Sequence, residues 1–423
     1  MDPVSEVPTE ADSADRPGEV WSPFKKLALR VALIYFALSF VPEFFALDFF
    51  LDPLRALATS RFWGLDELPV GEDTGSGDRL VDVIAVVVNL LLTAFGATLW
   101  SLLDRKRPNY RWVYEALRVM LRYALALTLM SYGFVKLRQF PPISHAEMVR
   151  SIGSETPMGV LWNFMGASPA YTVFSGVLEV LGGVLLLFRR TTTLSALVVV
   201  PVMMNVFILN LCYDVPVKLM SFHLLVAAIV LTLPDARRLL DVLVFNRPTA
   251  PRELVPVIRY PKIRIGVLIV KWLCFGNVIW GGAGQALESW RELQRPRSPF
   301  VGIWKVVRFE RAGREMDTVS LRNPVRWDLV VIDPSRAANL RIAIDLVGGE
   351  TRKGTLSDVT EGELSINLKP EPERWTYERS GETLILRGNP GAVATKVELR
   401  KATAEFPLMD HQIHWIQERP RTP

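Results

Sequence analysis

The chain is predicted to be an α-helical membrane bundle followed by a small antiparallel β-barrel, and three observations predict it. Half of the 423 residues are apolar, and they gather into uncharged runs long enough to cross a bilayer, about seven in all. Lys and Arg collect in every second loop between those runs, as they do where loop charge sets membrane orientation. From about residue 299 the pattern changes to alternation of period two, interrupted by turn residues every eight to twelve positions.

Residues 1–22 are acidic and rich in Pro, Ser and Thr, with no cationic lead into an apolar core, and read as a disordered cytoplasmic tail. Residues 23–115 hold two spans, near 27–47 and 80–103. The polar stretch DELPVGEDTGSGD separates them as an outer loop, and DRKRPNYR follows the second as a basic inner one. Residues 116–234 form a four-span core. Its third-span helix, about 116–137, leads into a loop of about thirty residues whose apolar part, Met158–Met165, reads as a short surface or re-entrant helix. Three runs then follow with almost no linker between Pro169 and Pro234. A basic connector, 235–262, precedes a seventh span at 263–284.

Residues 299–404 are the barrel. LRIAIDLV and ELSINLK alternate as half-buried strands do, and ERAGRE, DPSRAAN, VGGE, TEGE, ERSGET and RGNPG mark the turns between about eight strands. Gly302-Ile303-Trp304 resembles the opening strand of lipocalin-like barrels, and the interior is either packed or hollow. Residues 405–423 are a tail. The loop charges predict a bacterial inner-membrane protein, with its N-terminus cytoplasmic and, after seven crossings, an extracytoplasmic β domain.

Composition excludes several chemistries. The net charge of +5 is spread over loops beside apolar runs, not along a stripe, so nucleic acid is not an expected partner; the bilayer is. Cys212 and Cys274 are the only cysteines and form no C-x-x-C pair, which argues against a thiol–disulfide relay. Only one of the four histidines lies in a span, too few for a bis-histidine haem. His411 and His414 read as two surface histidines, so no metal is expected.

The candidate site residues come from depth. At 1.5 Å per residue, Glu179 lies about 15 Å below the outer surface, Lys218 about 5 Å and His223 about 12 Å. Lys136 ends the third span at the same surface, and Asn205 and Asn210 fall in the outer half of the fifth. Ionisable and amide groups at such depth need a partner, a cavity or a role. Thr128, Tyr132, Lys136 and Gln139 share one helical stripe, while Thr172, Gly176, Glu179 and Gly183 share another whose glycines permit close helix approach. A Lys136–Glu179 pair follows from the two stripes. Lys218 and His223 point about 140° apart on a straight helix, which argues against one narrow pocket. Each residue also has a plain structural reading: Lys136 as an interfacial lysine, and Asp214 as a helix cap or the i+4 partner of Lys218. His223, Asn205 and Asn210 read as polar contacts between helices, and Glu179 as part of a structural ion pair or hydrogen bond.

Tyr132-Gly-Phe-Val-Lys136, then Glu179-Val-Leu-Gly-Gly, then Arg189-Arg-Thr-Thr-Thr resemble the DoxX family of bacterial membrane proteins over about residues 116–234. Cys212-Tyr-Asp-Val-Pro-Val-Lys218 with His223, and the closing His414-Trp-Ile-Gln-Glu, resemble a larger subgroup of it. The resemblance implies a four-helix DoxX core. It also implies a redox association, since similar members include a subunit of a thiosulfate:quinone oxidoreductase; a quinone and a membrane redox partner are the expectations it brings. No residue roles come with it, so the candidates rest on depth. Three functions fit: a redox-associated component binding a quinone-like or other lipophilic ligand in the outer half of the bundle, a non-enzymatic binder or transporter of a small ligand, and an assembly scaffold.

Overall fold

The computed structural model describes residues 20–45, 48–66, 77–250, 260–296, 298–317, 325–335, 340–360, 362–368, 371–402, 406 and 408. The acidic tail as far as residue 19, most of the outer acidic loop, and His411 and His414 with the closing segment lie outside them. The helices, in order, are α1 (Pro23–Phe45), α2 (Asp52–Ala58), α3 (Leu80–Leu103), α4 (Arg111–Gln139), α5 (His145–Met148), α6 (Pro157–Gly166), α7 (Pro169–Leu186), α8 (Thr192–Cys212), α9 (Lys218–Thr232), α10 (Ala236–Leu243) and α11 (Pro261–Gln294). The chain divides into two compact units, one of residues 1–136 with 173–285, the other of 137–172 with 286–423.

The first unit is a helical bundle. Among the described residues five stretches are long and apolar enough to cross a membrane: Leu80–Leu103, Pro169–Leu186, Arg189–Cys212, Lys218–Leu243 and Pro261–Gln294. Helix α1, at 23 residues, and α4, at 29, have the length as well. Helix α4 is the core of the bundle: Leu121, Leu125, Ala126 and Met130 are wholly buried, with Leu117, Leu129 and Gly133 beside them. A helix wrapped by protein meets little lipid, so it can carry Arg118, Arg122 and Lys136 where a lipid-facing helix could not. The segment most conspicuous in sequence, 169–234, is therefore the wall around this helix.

Helix ends pair in an alternating order. Arg30 at the start of α1 donates to Ser101 Oγ (2.7 Å), Tyr110 Oη (2.5 Å) and the carbonyl of Asp104 (3.1 Å), tying together the start of α1, the end of α3 and the entry to α4. Asp235, buried after α9, accepts from Arg238 (3.0 Å) and Thr193 (3.0 Å) and lies 3.9 Å from Arg118. Two elements lay hidden in stretches of polar or mixed character: α2 within the expected outer loop and α10 within the expected connector. The last helix is also longer than its predicted apolar stretch, running on to Gln294.

The second unit contains the barrel. Its strands are β1 (Gly302–Arg311), β2 (Arg314–Glu315), β3 (Trp327–Asp333), β4 (Leu340–Leu346), β5 (Thr351–Thr360), β6 (Glu363–Leu368), β7 (Glu371–Ser380), β8 (Thr383–Gly388) and β9 (Thr395–Lys401). All neighbours are antiparallel, and β9 returns to β1 from Trp304↔Lys401 to Arg311↔Thr395, closing eight strands; β2 is a two-residue appendage of β1. Closure removes the exposed edges an open sheet would carry. Alternate residues point inward, as with Ile342, Ile344 and Leu346 on β4, and the interior is packed around Trp304, Trp327 and Trp375. Gly388 lies opposite Trp375 in register, and a Cβ there would come 2.5 Å from the indole, so the missing side chain makes room for the ring.

The α4–α7 loop belongs to this unit. Phe140, Ile143 and Leu161 are buried, and α6 covers the stretch read as a short helix. Asp333, at the end of β3, accepts from the backbone N–H of His145 (2.8 Å) and Ala146 (3.0 Å) and lies 2.8 Å from His145 Nδ1. A barrel carboxylate thus satisfies the free amides at the first turn of α5.

Candidate functional site

Helices α4 and α7 run antiparallel in backbone contact. A Cβ on Gly133 would lie 2.6 Å from the carbonyl oxygen of Gly176, and one on Gly176 2.6 Å from that of Gly133. One on Gly183 would meet Met130 Cγ at 2.6 Å. Only glycine permits this approach. Gly176 also leaves a groove for the stem of Lys136, whose Cβ and Cγ would be 3.3 and 3.2 Å from a methyl there. Guided along that groove, Lys136 Nζ reaches Glu179 Oε1 at 3.1 Å, with the two side chains 12% and 5% exposed. The other carboxylate oxygen, Oε2, is buried without a hydrogen-bond partner among the described residues.

The nine predicted residues sort into separate groups. Lys136 and Glu179 form the first. The second is Lys218 with Asp214 (2.8 Å) and Asp78 (3.6 Å). Asp78 also accepts from the backbone N–H of Lys218 (2.8 Å) and Leu219 (2.9 Å), so it caps α9; Asp214, in the left-handed region at φ 53°, is the i+4 partner. His223 forms a third group with Tyr35. Its Nδ1 lies 2.6 Å from the carbonyl oxygen of Leu219, and its Nε2 is hydrogen-bonded to Tyr35 Oη at 2.5 Å. The two rings stack at 5.6 Å.

The other four candidates lie apart from these groups. Asn205 is exposed on α8, whereas Asn210 is buried with its Nδ2 unpartnered among the described residues. Tyr132 is 40% exposed because it turns off the face that buries Gly133. Gln139 ends α4 with a buried Oε1 that has no partner among the described residues, and it belongs to the other compact unit.

Sequence reasoning missed Tyr35, Asp78 and Arg122. Asp78 and Tyr35 lie far along the chain from their partners, so no local spacing could reveal them. Arg122 was visible as a cation inside an apolar run; its Nε and Nη2 donate to the carbonyl of Leu186 at 3.1 and 2.8 Å. The barrel adds a cleft of about 1770 Å³ along β5 to β9, where Arg352 and Arg374 interleave with Glu363 and Glu373, so it favours neither sign of ligand charge.

No family model matches the chain, and no solved structure matches it. The uncharacterized protein YwoB of Bacillus subtilis (strain 168) is 31% identical over 134 residues, which cover 31% of this chain and 84% of that protein.

Proposed function

From a chain that belongs to the family of the uncharacterized protein YwoB, we propose an integral membrane protein with a DoxX-like core. On this reading α4, α7, α8 and α9 hold a quinone-like or other lipophilic ligand in the outer half of the bundle. The observation that carries it is Glu179 Oε2, a buried carboxylate oxygen without a partner among the described residues, beside an oxygen that has one. Such an atom accepts a hydrogen bond from a ligand hydroxyl, while the Lys136 ammonium, with three donors, can serve a ligand carbonyl. A quinone and its reduced form present these two groups. Glu179 would hold or release the proton, and a membrane redox partner would supply electrons.

The topology proposed with it has seven crossings, a cytoplasmic N-terminus and an extracytoplasmic barrel in a bacterial inner membrane. The His145–Asp333 contact supports it, because a loop and a barrel that touch must be separated by an even number of crossings. Four candidate spans lie between them.

A second reading, a scaffold whose polar residues only join helices, is favoured by Lys218 and His223, each of which has its partners within the bundle. Organic extraction of the purified protein separates the two. Wild type is expected to release a quinone or another single lipophile that is lost from Glu179→Gln and Lys136→Gln, each compared on the fraction that runs as folded protein on size exclusion in detergent. Identical extracts from all three would leave the scaffold.

A further inference from the structure

The end of α7 holds two cations, Arg122 and Lys271, for which no carboxylate partner stands among the described residues. Arg122, 3% exposed, donates twice to the carbonyl of Leu186, and Lys271 on α11 donates to the next carbonyl, Leu187, at 2.5 Å. The neighbouring carboxylates have other partners: Glu115 pairs with Arg189 at 3.0 Å, and Asp235 with Arg118 and Arg238. A helix C-terminus supplies only about half a negative charge, against two full positive ones. Aromatic rings surround the lysine ammonium, with the centroids of Trp272, Phe188 and Tyr123 at 4.8, 5.5 and 5.7 Å, and Phe188 and Trp272 are open to the surroundings.

We propose that Lys271 and Arg122 bind the phosphate of an anionic phospholipid from the leaflet at this end of the bundle. Two of the three ammonium protons and the Arg122 Nη1 group lie outside the carbonyl bonds and can donate to phosphate oxygens. The exposed faces of Phe188 and Trp272 suit the glycerol and upper acyl carbons. A phosphodiester fits better than a carboxylate ligand, because donors from α4 and α11 meet at successive carbonyls of one helix end, beside two exposed apolar rings. The site is independent of the Glu179 reading.

The test uses the full chain in nanodiscs of phosphatidylglycerol or phosphatidylcholine, with spin-labelled forms of both lipids. Wild type should favour labelled phosphatidylglycerol in its motionally restricted shell by about fivefold, the worth of one well-placed cation near a bilayer surface. Lys271→Gln should reduce that preference to near unity, whereas Lys262→Gln, ten residues' rise or less away but outside the cluster, should keep it. Equal loss in both variants, or none in Lys271→Gln, would overturn the proposal. A thermal shift with inorganic phosphate in phosphatidylcholine discs, larger than that with phosphatidylglycerol, would replace the lipid by free phosphate and overturn its source. Quenching by brominated phosphatidylglycerol gives a reading that does not depend on the lysine variant. Trp272→Phe should remove a component of quenching that brominated phosphatidylcholine never produces, and its persistence would count against the site.

Discussion

Glu179 was legible because a carboxylate inside an apolar run is conspicuous, and Lys136 because helical spacing turned it toward the same level. The glycines gave a third signal, and their role is sterically defined: Gly176→Ala places a methyl 2.6 Å from the Gly133 carbonyl. Backbone cannot yield as a side-chain tip can, so the substitution should destabilise the bundle by about 1–3 kcal/mol. Gly281→Ala, where nothing lies within 4 Å, should leave thermal unfolding in detergent unchanged. Removing one partner of the buried pair is a different kind of damage. Glu179→Ala strands an ammonium and should cost about 3–5 kcal/mol, whereas Lys136→Met with Glu179→Leu should recover most of it. A double-mutant cycle measured by unfolding in mixed micelles checks this, and additive single effects would deny the coupling. By contrast, Tyr35 left no trace in the sequence as the partner of His223, because contacts between distant residues on separate helices follow from packing alone.

At the scale of elements, the strands were legible because their inward and outward residues alternate, and each turn motif falls at a strand end. What stayed hidden was the fastening of the α4–α7 loop to β3. Ser144 and Glu147 form a recognisable capping box, yet nothing local announces that Asp333 completes it. Burial works to raise the Asp333 pKa, but the His145 side chain and the N–H groups of Ala146 and His145 outweigh it and hold the carboxyl below its ordinary 3.8. A depressed carboxylate contributes stability above its unfolded value, and the contribution disappears as pH falls through the lower folded one. Proteolysis of the exposed Ser151–Ser154 segment should therefore accelerate below about pH 3.8 in wild type. With Asp333→Asn it should be fast already at pH 6 and nearly flat below. An acid-tolerant protease and mass mapping of the cut measure both, and parallel profiles would remove Asp333 from the fastening.

For the whole molecule, the decisive constraint is parity. Residues 137–172 and the barrel share one compact unit, and a chain that leaves a membrane face and comes back to it must cross an even number of times. The four candidate spans from Pro169 onward satisfy this. α11 is the one on which the count turns, because its polar end runs on to Gln294 and its apolar stretch is almost wholly unburied. In a background with Cys212 and Cys274 replaced by serine, the exposed positions Ser151, Ser380 and Lys106 test the arrangement. Ser151→Cys and Ser380→Cys should both react with a membrane-impermeant maleimide from the extracytoplasmic side, and Lys106→Cys only after the membrane is opened. Joint labelling from the cytoplasmic side would keep the His145–Asp333 contact and invert the loop-charge orientation. Labelling of Ser151→Cys and Ser380→Cys from opposite sides would mean an odd number of crossings, and the contact between loop and barrel could not then form within one chain.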